Sequence, residues 1–186
     1  MGDDTAMALL VPGSAEELAA FRRLQARLPD LFRRVFADPL EPRTVVIVPG
    51  LTMDQDVLAK VLGGLHYEER QLAMLMLLRL PNTRVVFVSS TPIERTIVDY
   101  YLGLLPGIAR DEARRRLVLL SASDASAATL TQKILERPRL LERIRDAMGD
   151  PAIAHLSCFN VTALERTLAV RLGIPLYGCD PSLQHI

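Results

Sequence analysis

Five runs of consecutive apolar residues punctuate the chain: TVVIVPG from Thr44, TRVVFVSS from Thr83, RLVLLSAS from Arg116, AIAHLSCF from Ala152 and PLYGC from Pro175. They are continuous rather than alternating, the pattern of strands covered on both faces, and helical periodicities lie between them. Strand and helix in alternation predict stacked right-handed βαβ units. The expectation is an α/β, Rossmann-like three-layer fold: a mostly parallel sheet of about five strands with helices on both faces.

The helical stretches carry their own punctuation. Ser14-Ala15-Glu16-Glu17 reads as a helix start, and Leu18, Phe21, Leu24, Leu28, Leu31, Phe32 and Val35 continue at helical spacing with Pro29 breaking or kinking the run. This hairpin is expected to pack on the sheet. Gly63-Gly64 divides the long first crossover into a polar loop or short helix around residues 53–62 and a helix over about 65–80. Pro138 splits TQKILERPRLLERIRDAM in two.

In open parallel sheets, ligands bind beyond the carboxyl ends of the strands, where loops and helix N-termini offer unpaired N–H groups. The loops expected there carry Thr52 and Asp54, Ser90, Asp124, Asn160 and Thr162, and Asp180. Such residues face a ligand or a neighbouring module, but each taken singly is also a favoured helix cap or turn residue. Asp124 and Asn160 stand out because other polar side chains surround them in sequence. A dinucleotide fingerprint G-x-G-x-x-G is missing after the first run, as is the G-x-x-x-x-G-K-[ST] phosphate loop.

His66-Tyr67-Glu68-Glu69-Arg70 is the densest cluster of reactive types. Its functional reading uses His66 or Glu69 as acid or base and Arg70 as an anion clamp; its simpler reading is a helix start with acids at the positive end of the dipole. No third metal ligand follows at a recognisable spacing, and no metal is expected. His155 and Cys158 lie on opposite faces of one strand, which argues for a buried inert thiol and against a dyad. Arg166 and Arg171 beside Glu165 read as a solvated helix face or a contact surface.

Composition narrows the class without naming it. The 186 residues are 49% hydrophobic and 24% charged, enough for a real core. Lys plus Arg equals Asp plus Glu at 22 each, so no net field draws nucleic acid or an anionic membrane. Lys60 and Lys133 are the lysines in a chain whose other basic residues are arginines. Two cysteines make no disulfide framework, and no apolar run reaches a membrane span of about 20 residues. These features lead to the expectation of a cytoplasmic protein.

Taken together, LHYEERQL, IVDYYLGLLPGI, LTQKILERPRLLERIR and CFNVTALERTLAVRLGIPLYGCDP resemble the N-terminal portion of an ATP-grasp ligase family that includes the pheganomycin-type peptide ligases. The resemblance spans about Thr44 to the C-terminus. Residues 1–40 are expected to form the N-terminal helical segment packing on the domain, and the resemblance implies a pre-ATP-grasp domain over 41–186 that ends before an ATP-grasp module. ATP and magnesium would be held by that downstream module in the same polypeptide, which joins small carboxylate and amine or peptide substrates through an acyl phosphate. No catalytic residue is therefore expected in this chain, and Glu69 and Arg70 gain an organising role. Two alternatives stand beside this reading: a self-sufficient Rossmann-type enzyme for a nucleotide or nucleotide sugar, relying on Asp124 or Asp180, and an interaction module, with a homodimer among its forms.

Overall fold

The computed structural model describes residues 10–51 and 67–183. The five apolar runs become five strands, β1 (Arg43–Val48), β2 (Thr83–Ser89), β3 (Leu117–Ser121), β4 (Ala154–Cys158) and β5 (Leu176–Tyr177). All pair in parallel, in the order β3-β2-β1-β4-β5. The central strand β1 is buried along its whole length, which is why its run is Thr-Val-Val-Ile-Val without a polar interruption. At the edge, β3 is mostly half-buried, and Leu119 reaches solvent.

Helices on the two faces complete three layers. One face buries Val46, Val86 and Leu156 under α1 (Ala15–Gln25), α6 (Leu130–Leu135), α7 (Pro138–Met148) and α8 (Ala163–Leu172). The other buries Val45, Val85 and Phe87 under the segment 67–79, α4 (Arg95–Gly103) and α5 (Arg110–Arg115). Each large side chain so buried contributes roughly 1.5–3 kcal/mol, so Phe21 and Leu24 fasten the N-terminal hairpin into the first core. Ser14 caps α1 as its sequence suggests, its Oγ accepting from the Glu17 N–H at 3.2 Å. The helical run is broken just ahead of Pro29, which sits in the first turn of α2 (Leu28–Ala37), where a missing N–H costs nothing, and Pro138 opens α7 in the same way.

The expected α-helix over about 65–80 is the clearest departure. Within the described part, α3 (Tyr67–Arg70) lasts one turn, and Gln71–Arg79 is a 3-10 helix. The reason is in the spacing of the leucines. Leu72, Leu75 and Leu78 are fully buried at intervals of three, and a 3-10 helix stacks residues i and i+3 on one line where an α-helix would drift off it. The segment around residues 53–62, with Gly63-Gly64, lies outside the described residues.

Candidate functional site

The strand order places a topological switch point between β1 and β4, since their crossovers leave in opposite directions. The residues beyond the carboxyl ends of these two strands are Pro49 to Leu51 on one side and Phe159 to Thr162 on the other. Asn160 is half-buried there and Thr162 caps α8. Thr52, Asp54 and His66 lie outside the described residues.

At this point the fold commonly offers a helix N-terminus to a phosphate. Here α8 offers it to its own chain. Glu165, 1% exposed, accepts from the Thr162 N–H at 2.8 Å and the Thr162 hydroxyl at 2.7 Å through Oε2, and from the buried Thr131 hydroxyl at 2.7 Å through Oε1. The sequence T-x-x-E thus forms a capping box whose carboxylate supplies the negative charge that the helix dipole favours. Cys158, just before it, has its thiol pushed far up by burial and then by the Glu165 charge, so it is held as an unreactive thiol. His155 and Cys158 do face opposite sides of the sheet: His155 meets Phe32 on the α2 side, and Cys158 packs on the other core.

A second polar cluster covers the ends of β2 and β3, and brings two expected residues together. The Asp124 N–H donates to the Ser90 carbonyl at 2.9 Å. Lys133 from α6 is the hub: 3% exposed, its Nζ donates to Ser90 Oγ at 3.1 Å, the Asp124 carbonyl at 2.9 Å and the Ser126 carbonyl at 2.8 Å. Glu68 closes the cluster from α3, accepting from the Ser90 N–H at 2.6 Å and the Ser90 hydroxyl at 2.7 Å. Arg137 pairs with Asp124 Oδ2 at 2.6 Å. The Asp124 carboxyl is held down at about 2 by hydrogen bonds from the Ser126 hydroxyl and N–H, with Arg137 and Lys133 adding to them.

All three protons of an ammonium are used by these acceptors. Lys133 is therefore a fixed charge that ties the loops after β2 and β3 to α6, and Glu68 extends the tie to the start of the 67–79 segment. Asp124 is equally occupied, with Oδ1 accepting from Ser126 and Oδ2 from Arg137. The cluster builds a rigid polar rim rather than an acid or base poised for proton transfer.

The remaining expected residues are not part of this cluster. Asp180 accepts from the Ser182 hydroxyl at 2.6 Å and N–H at 2.9 Å. Burial pushes its carboxyl up, but the Ser182 hydrogen bonds and the charges of Arg166 and Arg22 outweigh that and leave it below the usual range. Glu69 is half-buried and Arg70 is exposed. Arg166 corrects the expectation of a solvated face. It is buried, 3.6 Å from Glu17 and 3.9 Å from Asp180, because α8 packs against α1 and every residue from Glu165 to Val170 is buried. Arg171 is half-buried and donates to the Leu10 carbonyl at 3.2 Å.

Sequence reasoning passed over Glu68, Lys133 and Arg137 as site members. One signal for Lys133 was present: a lysine kept where nearly every other basic residue is arginine suits three tetrahedral donors, not a planar fork. Tyr67 packs edge-on against Phe159 with ring centroids 5.2 Å apart, joining the rim to the switch point. Burial raises its phenol to about 12, the nearby Gln71 side chain offsetting only part of that.

Among the described residues, no group of three His, Cys, Asp or Glu side chains is arranged to hold a metal ion, and no helix is long and apolar enough to cross a membrane. No family model matches the chain, and no solved structure matches it. Over 110 residues it is 31% identical to the L-propargylglycine–L-glutamate ligase of Streptantibioticus cattleyicolor, a match that covers 56% of this chain and 22% of that protein. The chain is thus similar to less than a quarter of the length of a known ligase.

Proposed function

We propose that the chain is the pre-ATP-grasp domain of an ATP-dependent carboxylate–amine ligase, supplying a substrate-cleft or module-docking surface and not catalytic alone. The observation that carries this reading is the 31% identity to a ligase over 110 residues. The rim agrees with it. Lys133, Asp124 and Glu165, the charged groups nearest the strand ends, already have internal partners, which suits a wall that positions other groups. ATP, magnesium and the acyl phosphate belong, in this proposal, to an ATP-grasp module in the same polypeptide, and the substrates are a small carboxylate and an amine or peptide.

Glu165 also weighs against the self-sufficient nucleotide enzyme, because a phosphate at the α8 N-terminus would meet a buried carboxylate. Isothermal titration of the 186-residue chain with MgATP tests the division of labour. No saturable heat and no ADP release are expected from the chain alone, with amide formation restored when an ATP-grasp module is joined to it. Micromolar MgATP binding with hydrolysis by these residues overturns the proposal.

A further inference from the structure

The face of the sheet that carries Val45 also carries His155, Ser157 and Tyr177, by the registers Val45↔His155 and Ser157↔Tyr177. Near the amino ends of these strands, α2 and the 3-10 helix stand apart and leave an open cavity of about 280 Å³. It lies at the end of the sheet opposite the polar rim, since Arg43 and Thr83, the first residues of β1 and β2, both line it. Its walls are apolar, formed by Phe32, Val35, Leu77 and their neighbours. That volume is just below the usual range for small-molecule sites, and a mostly apolar lining with a few fixed polar groups is their usual make-up.

Two polar groups in the lining have unmet hydrogen-bonding capacity. Arg43 is 7% exposed; its guanidinium donates from Nη2 to the Pro39 carbonyl at 3.0 Å, while Nε is buried without an acceptor. No carboxylate among the described residues lies in salt-bridge range of it. Glu41 and Asp38 act on it from further away, and Glu41 is paired with Arg34 at 3.3 Å. His155 is 8% exposed, its Nδ1 is buried without a partner, and its ring leans on Phe32 and Tyr177 with centroids 5.4 and 6.4 Å apart. A buried guanidinium without a carboxylate is costly in an apolar setting, and an anion that reaches it recovers a charge-assisted hydrogen bond.

We propose that this cavity binds a small amphipathic carboxylate, its aromatic or branched aliphatic body between Phe32, Val35 and Leu77 and its carboxylate toward the Arg43 guanidinium. The Arg43 guanidinium selects an acid over a neutral hydrocarbon, and the volume selects a small molecule over a helix of a partner. This site is separate from the polar rim and does not draw on the similarity to a ligase, so it and the functional proposal can fail independently.

The test is a two-dimensional NMR titration of the 186-residue chain with 3-phenylpropanoate and with its uncharged counterpart 3-phenylpropan-1-ol, near neutral pH. Saturable shifts are expected at Leu31, Val35, Leu77 and Tyr177, with the acid bound more tightly. Val35→Trp, on a helix surface that tolerates the larger ring, should abolish binding of both. Arg43→Met should weaken the acid by about tenfold, the scale of one charge-assisted hydrogen bond, and leave the alcohol unchanged. If Arg43→Met does not fold, the acid–alcohol difference in the parent chain and its loss in Val35→Trp still decide the matter. Equal binding of acid and alcohol, shifts confined to other surfaces, or a dimer that Val35→Trp converts to monomer in light scattering would each overturn it, the last by showing a second copy in the groove.

Discussion

Lys133 donates from Nζ to Ser90 Oγ across 3.1 Å, joining the last turn of α6 to the loop after β2. Because the same ammonium, itself buried, also satisfies the carbonyls of Asp124 and Ser126, its removal strands several part-buried acceptors at once. Lys133→Met should therefore destabilise the fold by about 3 kcal/mol, read as a lower urea midpoint at unchanged slope. Lys133→Arg should not restore it, since a planar fork cannot reach three acceptors arranged around one nitrogen.

Leu75 and Met76 are neighbours with opposite fates, one fully buried and the other exposed. Leu75→Ala should cost about 3 kcal/mol through the lost contacts and the cavity left under the 3-10 helix. Met76→Ala should change stability by less than about 0.5 kcal/mol. Equal effects in chemical denaturation would mean that the three-residue period does not set the buried line.

His155 sets a pH dependence whose sign follows from its surroundings. Burial, then the Arg43 charge, lowers its pKa from 6.5 to about 4. Between those values the unfolded chain binds a proton that the folded chain does not, so stability is complete above about 6.5 and falls as the pH drops toward 4. The loss approaches about 3 kcal/mol at the lower end. His155→Leu should flatten this slope relative to the parent chain in denaturation series across that window. Asp124 titrates at about 2, below the window, and its own contribution disappears only in stronger acid.

The two cysteines should separate cleanly toward a thiol reagent. Cys179 is exposed, whereas Cys158 is recessed, with its thiol pushed up by burial and by Glu165. One equivalent of Ellman's reagent should react quickly with the folded chain and the second only on unfolding. Rapid reaction of both would mean that α8 does not seal the end of β4.

Much of the architecture was already written in the order of residues. Five apolar runs separated by helical periodicities determine a parallel three-layer sheet, because a strand buried on both faces must be apolar at every position and parallel strands need crossovers. Local chemistry was equally legible: Ser14 and Thr162 as caps, Pro29 and Pro138 as breaks between helices, and opposite faces for His155 and Cys158 depend only on neighbours a few residues away.

Tertiary structure decided what depends on distant partners. Strand order comes from how the crossovers pack, and it is this order that puts the switch point between β1 and β4. A 3-10 helix replaced the expected α-helix because the sheet rewards the line Leu72, Leu75, Leu78. Arg166 reads as a surface charge in its own helix and becomes a buried one only when Glu17 and Asp180 approach from far along the chain. The same holds for Lys133 and Glu68, which share Ser90 across separations of 43 and 22 residues. Periodicity records which side of an element is buried, but the identity of the group waiting on that side is fixed only when the layers close.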